Sequence, residues 1–354
     1  MTSRAASFAK QCFATPLNAA VSLVICVWLA FTLIELTRWA GIDAVWSGDS
    51  PQACAGIHGA CWLFIRDRFG QILYGTYPRE ELWRIILCGA IAVAAFVIFS
   101  LPWRRGKLFA ILAFLILFPV FAGIMLHGGV FGLPVVPTNR WGGMLLTVVI
   151  AAWTIAAALP LGLLLALARL SRLPIVAASA AIYIDLIRGL PLVGILFVAI
   201  VLFPLFVPPG TNIDVLVRTL LAFALFNGAN MAEVFRGGIQ AVPKGQYEAA
   251  MALGLRNWQV MGLSIIPQAV RAAMPGIVNV SVAIIKETTI VLMAGMFDFL
   301  GVLHSGLIDP VWNLGDHIRA TAYFFAGTVF FIVCFGLSRY SARIERKLDV
   351  GRRY

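Results

Sequence analysis

An all-α protein that crosses a membrane many times is what this sequence predicts, and three observations carry the prediction. Hydrophobic residues make up 61% of the 354 and charged ones only 12%, against about 25% charged in a soluble globular chain. About eight apolar runs reach the length of about 20 residues that a helix needs to cross a hydrocarbon core. The basic residues, finally, fall in alternate loops between these runs.

The first run, 19–39, is about 20 residues long, has no convincing small-x-small cleavage site and is followed by further spans, so it reads as a retained helix, not a secretion signal. The second and third, 82–101 and 108–126, are separated by a short turn with Arg104, Arg105 and Lys107. The fourth, 141–167, ends at Arg169 and Arg172, and the fifth, 182–207, follows directly. The sixth, 216–235, begins after Asp214. A long polar segment with Lys244, Arg256 and Arg271 precedes the seventh, 275–296, and the eighth, 320–340, ends in a tail with Arg339, Arg343, Arg346, Lys347, Arg352 and Arg353.

Cytoplasmic loops near helix ends are enriched in Lys and Arg. The N-terminus with Arg4 and Lys10, the Arg104 turn, the Arg169 turn, the Lys244 segment and the tail therefore lie inside. The loops with Asp43, Asp49, Glu80 and Glu81, with Asp214, and with Asp309 and Asp316 lie outside. Both termini are expected in the cytoplasm. The formal charge of +11 is thus accounted for by membrane sidedness and calls for no nucleic-acid partner. Trp39, Trp83, Trp103 and Trp141 stand at span ends, where indoles anchor at the interface.

A Pro/Gly-rich stretch from Gly128 to Pro137 divides the chain. Residues 1–137 form an N-terminal membrane region of three helices with an outside loop at about 40–81; 138–348 form a five-helix core, and 349–354 a cytoplasmic tail. Cys54 and Cys61 share the outside loop, an oxidising compartment if the membrane is a bacterial inner one, and a disulfide between them is expected. His58 adds a third possible zinc ligand, but a fourth is missing and no metal site is expected. Cys12, Cys26, Cys88 and Cys334 read as packing residues.

The most patterned polar stretch is the inside segment at about 237–272. Pro243 and Gly245 are expected to stop the incoming chain, and 246–253 is an Ala-rich helix-forming run. Gly254 stands where a left-handed C-terminal cap uses glycine. Asn257 is placed to cap a second helix, interrupted at Pro267. The expectation is two short helices joined by an elbow. Ala249, Ala250 and Ala252 keep one side small for a close approach by another protein, and Glu248 offers an acceptor.

The run Arg236-Gly-Gly through Lys244-Gly-Gln-Tyr-Glu-Ala-Ala250, with Gly254 and Ile265-Ile-Pro-Gln268, resembles the EAA loop of the membrane subunits of bacterial ATP-binding-cassette importers. More narrowly it is similar to the polar amino acid branch, the histidine, glutamine, arginine and opine permeases. Leu161-Gly162 through Ser171, Ile187-Arg-Gly-Leu-Pro-Leu192 and Lys286-Glu-Thr-Thr-Ile290 match the same branch. The N-terminal spans, Gly295-Met-Phe-Asp-Phe-Leu-Gly301 and Ser338-Arg-Tyr-Ser341 look most like one of the two permeases, the M type, of the general L-amino acid importer. The likeness covers about 141–348. It implies an importer permease core of five helices preceded by three extra ones, with Glu248, Ala249, Ala250 and Gly254 on a coupling helix that docks on a cytoplasmic ATPase. It also implies a second homologous permease forming a heterodimer, two ATP-binding subunits, a periplasmic amino acid-binding protein, and ATP and Mg at the partner ATPase, with no cofactor in this chain. Asn230 departs from the family's aromatic, and Glu287 and Thr289 stand where Asp and Ser are commoner.

Lys286 and Glu287 fall inside the seventh run, where a charge costs about 2.5 to 3.5 kcal/mol. Adjacent residues point about 100° apart on a helix, so their partners must come from other helices, with Glu233, Arg236, Asp185 and Arg188 as candidates. Two readings stand. Asn230, Glu233, Lys286, Glu287, Thr288 and Thr289 form a substrate path for a zwitterionic amino acid, or they are glue between helices. Arg188-Gly-Leu-Pro191 reads as a helix-start turn. No Gly-x-x-x-x-Gly-Lys-Ser/Thr, His-Glu-x-x-His or Gly-x-Ser-x-Gly is present, so no catalytic residue is expected. The alternative function is an ion-coupled secondary amino acid carrier, with Lys286 and Glu287 as coupling groups.

Overall fold

The computed structural model describes residues 11–101, 106–208 and 210–349. Arg4, Lys10, Trp103, Arg104, Arg105, Arg352 and Arg353 lie outside the described residues. The described chain is helical throughout, with no named strand. Its elements are α1 (Pro16–Thr37), α2 (Trp62–Asp67), α3 (Phe69–Tyr74), α4 (Leu82–Ser100), α5 (Lys107–His127) and α6 (Gly143–Arg169). They continue with α7 (Pro174–Gly189), α8 (Leu192–Phe206), α9 (Val215–Gln240) and α10 (Lys244–Ala252). The last three are α11 (Asn257–Ala294), α12 (Phe299–Ile308) and α13 (Asp316–Asp349).

Among the described residues six helices are long and apolar enough to cross a membrane, and seven if the bent pair α7 and α8 is one span. The apolar run at 108–126 is also helical, within α5, which carries Pro119 in its interior. α1 begins as the sequence dictates, with Asn18 N–H donating to the Thr15 hydroxyl at 3.2 Å and Pro16 in the first turn. None of its residues is buried. An apolar surface on every side is one that only lipid or another protein can cover.

Three expectations need correction. The run at 182–207 is no straight span: the chain turns by 102° between α7 and α8. Pro191 excludes the helical region for the residue before it, and Leu190 is extended at φ −97 and ψ 143. α11 begins at Asn257, well before the expected 275, and is not interrupted at Pro267. A π-helical turn at Val260–Ile265 precedes that proline and makes room for its missing N–H, so the helix runs for 38 residues. Finally, α2, α3 and α12 are helices that hydropathy did not reveal.

The chain forms two compact units. One comprises the residues through Phe69 together with His304–Phe325. Here Cys54 and Cys61 are joined in a disulfide, Cα to Cα 5.9 Å, which occupies both thiols that a zinc site would need. Cys61 N–H donates to the Thr321 hydroxyl at 2.9 Å, and His317 Nε2 donates to the Cys54 carbonyl at 2.7 Å. Arg68 pairs with Asp309, and Phe64 meets Trp312 edge-on at 5.3 Å.

The other unit, Gly70–Leu303 with the residues from Ala326 onward, holds the membrane core. α9 lies along α6 because small residues let the backbones approach. A Cβ on Gly162 would collide with the Met231 side chain and stand 3.0 Å from the Ala232 nitrogen. In the turn after α11, Asp298 is fully buried and caps α12, its Oδ1 accepting from Gly301 N–H at 2.9 Å. The neighbouring Phe299 N–H donates to the Thr147 hydroxyl at 3.0 Å, tying this turn to α6. Burial pushes the Asp298 carboxyl up from its ordinary 3.8 to about 6.

Gly162→Leu is expected to lower stability in detergent by about 1 to 3 kcal/mol or more, read as a fall in Tm, because the α6–α9 seam must open. Asp298 binds its proton more tightly in the folded chain than in the unfolded one. Its contribution to stability is therefore complete below about pH 4 and disappears as pH rises to about 6. A Tm series across this window should show that decline, and Asp298→Asn should remove it.

Candidate functional site

At the ends of α6, α7 and α9 the basic and acidic residues meet in one cluster. Glu233 on α9 is its centre. Arg169, the last residue of α6, donates to Glu233 Oε1 at 2.9 Å and to Asp185 of α7 at 3.0 Å. Arg236 donates to Glu233 Oε2 at 2.7 Å and to Gln240 at 2.8 Å. Arg188 of α7 stands farther off, 3.8 Å from Glu233. Charge-assisted bonds of this kind hold three helix ends in one arrangement. The candidate partners for Lys286 and Glu287 thus pair with one another and with Arg169.

A cavity of about 370 Å³ opens beside this cluster, between α7, α9 and α11. Its polar lining is Arg188, Asn227, Asn230, Glu233 and Glu287. Asn227, which the sequence reading missed, is almost fully buried and its Nδ2 donates to Glu287 Oε2 at 3.2 Å. The signal was available: Asn227 stands three residues before Asn230 and six before Glu233, which is helical spacing on one face.

Of the expected path residues, Asn230, Glu233 and Glu287 are brought together here. Lys286, Thr288 and Thr289 do not line the cavity. Lys286 is exposed, turned about 100° around α11 from Glu287. The Thr288 hydroxyl donates to the Ile285 carbonyl and that of Thr289 to the Lys286 carbonyl, both at 2.9 Å, so each is satisfied by its own helix.

The elbow lies between α9 and α11. Pro243 caps α10, and Gly245 sits inside that helix, not ahead of it as a stop. Gly254 takes the left-handed conformation, φ +79, that ends α10. Arg256, not Asn257, precedes the first turn of α11, and its N–H donates to Gln259 Oε1 at 2.9 Å. Gln268 Nε2 donates to Gln246 Oε1 at 3.1 Å, which ties α10 to α11. Glu248 and Ala249 are exposed, but Ala250 faces inward and packs in the core with Val242, Val260 and Ile265. The outward apolar surface comes from Met251, Leu253 and Trp258, with Leu253 82% exposed.

A bundle of spanning helices with a polar cavity and an exposed helical elbow is the build of a transport subunit. The chain belongs to the family of binding-protein-dependent transport system inner membrane components, which it matches over residues 158–350. It is thus a multi-pass inner-membrane protein of the permease class, which displaces the secondary-carrier reading.

It is 43% identical over 331 residues to the inner membrane amino-acid ABC transporter permease protein YhdY of Escherichia coli K12, covering 92% of this chain and 88% of that protein. It is 35% identical to the glutamate/glutamine/aspartate/asparagine transport system permease protein BztC of Rhodobacter capsulatus, covering 96% and 92%. Among solved structures it is similar to an amino acid ABC transporter crystallised with histidines, with a TM-score of 0.50 and 28% identity over 58% of this chain and 92% of that one.

A double-mutant cycle with Arg169→Gln and Glu233→Gln, followed by thermal unfolding in detergent, should give a coupling energy of about 0.5 to 3 kcal/mol. Additive losses would mean that the two side chains are held independently.

Proposed function

We propose that this chain is a membrane permease subunit of an ATP-driven amino acid importer, forming the substrate path and linking it to a cytoplasmic ATPase. The observation that carries the proposal is the course of α11. One end of this helix adjoins the Gly254 elbow, and further along it Glu287 lines the polar cavity. A displacement at the elbow is thereby delivered to the path.

In this reading α10 and the elbow, with Glu248, Ala249, Met251 and Leu253 outward, dock on the ATPase. Ala250 and Gly254 shape that surface from within. The core comprises 138–348, with 1–137 as an added membrane region. The partners are a second, similar permease, two ATP-binding subunits that hold ATP and Mg, and a binding protein outside the membrane. Both termini are cytoplasmic. Energy enters as a shift between two populations: ATP draws the elbows together and favours the outward-open path, and hydrolysis returns it.

The test is uptake of labelled amino acids into proteoliposomes holding the chain and its partners, with internal ATP compared against imposed proton or sodium gradients. Uptake that requires ATP and the binding protein is expected; uptake by this chain alone on an ion gradient overturns the proposal. Gly254→Leu forces a side chain into a left-handed conformation that costs about 1 to 2 kcal/mol. It should cut ATP-driven uptake at least tenfold while the protein still inserts and purifies as a monodisperse species.

A further inference from the structure

We infer that the cavity between α7, α9 and α11 grips an amino acid by its two main-chain charges, the carboxylate at Arg188 and the ammonium at Asn227 and Glu287, and makes little use of the side chain. The inference rests on the transport reading above and adds to it an orientation and two residues.

The charges of the cluster do not balance. Among the described residues Arg169, Arg188 and Arg236 pair only with Asp185 and Glu233, which leaves one guanidinium in excess. Arg169 and Arg236 are held by hydrogen bonds of 3.3 Å or less. Among the described residues Arg188 makes only the 3.8 Å contact; its side chain is 43% exposed, and it is the one of the three that lines the cavity. A guanidinium so placed has donors left for a carboxylate.

The other pole is built of acceptors. The carboxylate of Glu287 accepts from Asn227 Nδ2, and this fixes which way the amide points, since a carboxylate cannot donate. Asn227 Oδ1 then has no donor among the described residues, although the side chain is 1% exposed. A buried acceptor left without a donor costs about 1 to 3 kcal/mol. No cation lies within ion-pair distance of Glu287 among the described residues. An ammonium, with three donors and no acceptor, supplies what both oxygens lack. The rest of the wall is Val234, Val280, Ala283, Asn230 and Glu233. Glu233 is the one further charge among them, and its two oxygens already accept from Arg169 and Arg236.

The experiment uses the assembled permease and ATPase complex in detergent, free of nucleotide and of the binding protein, loaded with a labelled neutral L-amino acid. Displacement is measured with amino acids of different side chains, with the decarboxylated amine, and with the N-acetyl derivative. Neutral amino acids should compete within a few-fold of one another. The amine and the acetylated compound should each be at least about tenfold weaker, as expected for losing a charged hydrogen bond. Arg188→Gln should erase the penalty on the amine and keep that on the acetyl compound. Asn227→Leu should do the reverse. Arg188 is partly exposed, so its variant is informative even if the buried Asn227 variant folds poorly. Unchanged affinity and discrimination in Arg188→Gln overturns the inference, and so does absence of amino acid binding to the unmodified complex. ATP-dependent uptake by the same complex is measured alongside. If it fails, the importer reading fails; if it succeeds while discrimination is absent, only the orientation is wrong.

Discussion

A carboxylate drawn largely out of solvent needs donors from the protein, and around Glu233 they come from three helices at once. Arg169, Arg188 and Arg236 approach one side chain from α6, α7 and α9. Apolar packing alone sets no register between such helices, because lipid tails satisfy a leucine as well as another helix does. The cluster supplies the register, and the small residues along α6 and α9 supply the distance. With both in place, the polar cavity next to the cluster has a defined shape. Removing the carboxylate would leave three cations near one another, so the arrangement depends on this one residue more than on any of its partners.

Much of this was legible from the amino acids. Runs of about 20 apolar residues between charges locate helices because the bilayer selects for them, and the elbow was readable through Gly254, whose φ of +79 is the conformation glycine permits. Hydropathy located the cores of α9, α11 and α13 and missed their ends. Arg236, Gln240 and Arg271 look like loop residues in a hydropathy average, whereas their long side chains extend helices beyond the hydrocarbon. The short α2, α3 and α12 have no run long enough to register. Arg188-Gly-Leu-Pro191 was legible as a helix start, but hydropathy carried one run across it from 182 to 207 and so missed the 102° turn.

The candidate site was legible in kind but not in pairing. A charge pair in a span announces a function or a partner, yet spacing within one helix cannot name a partner on another. Asn230, Glu233 and Glu287 converge, while Lys286 turns away because adjacent residues on a helix must diverge. Thr288 and Thr289 stand apart from the cavity for a related reason: a hydroxyl in a helix reaches the carbonyl three or four residues back and so finds its acceptor at home. Ala250 shows the same limit at the elbow, since small size suits a docking surface and a tight interior equally well.

α11 runs from the elbow to the turn at Asp298 as one helix of 38 residues, about 57 Å if every residue rose as in an α-helix. A rod of this length has slack only where its winding changes. Its winding changes at two places, a π-helical turn within the first ten residues, close to the elbow, and a 3-10 segment at Thr288–Ala294 just past Glu287. The elbow end of α11 and Glu287 lie on one continuous helix, so the position of one bears on the position of the other. A shift imposed at one end must therefore reappear at the other or be absorbed at one of those two places.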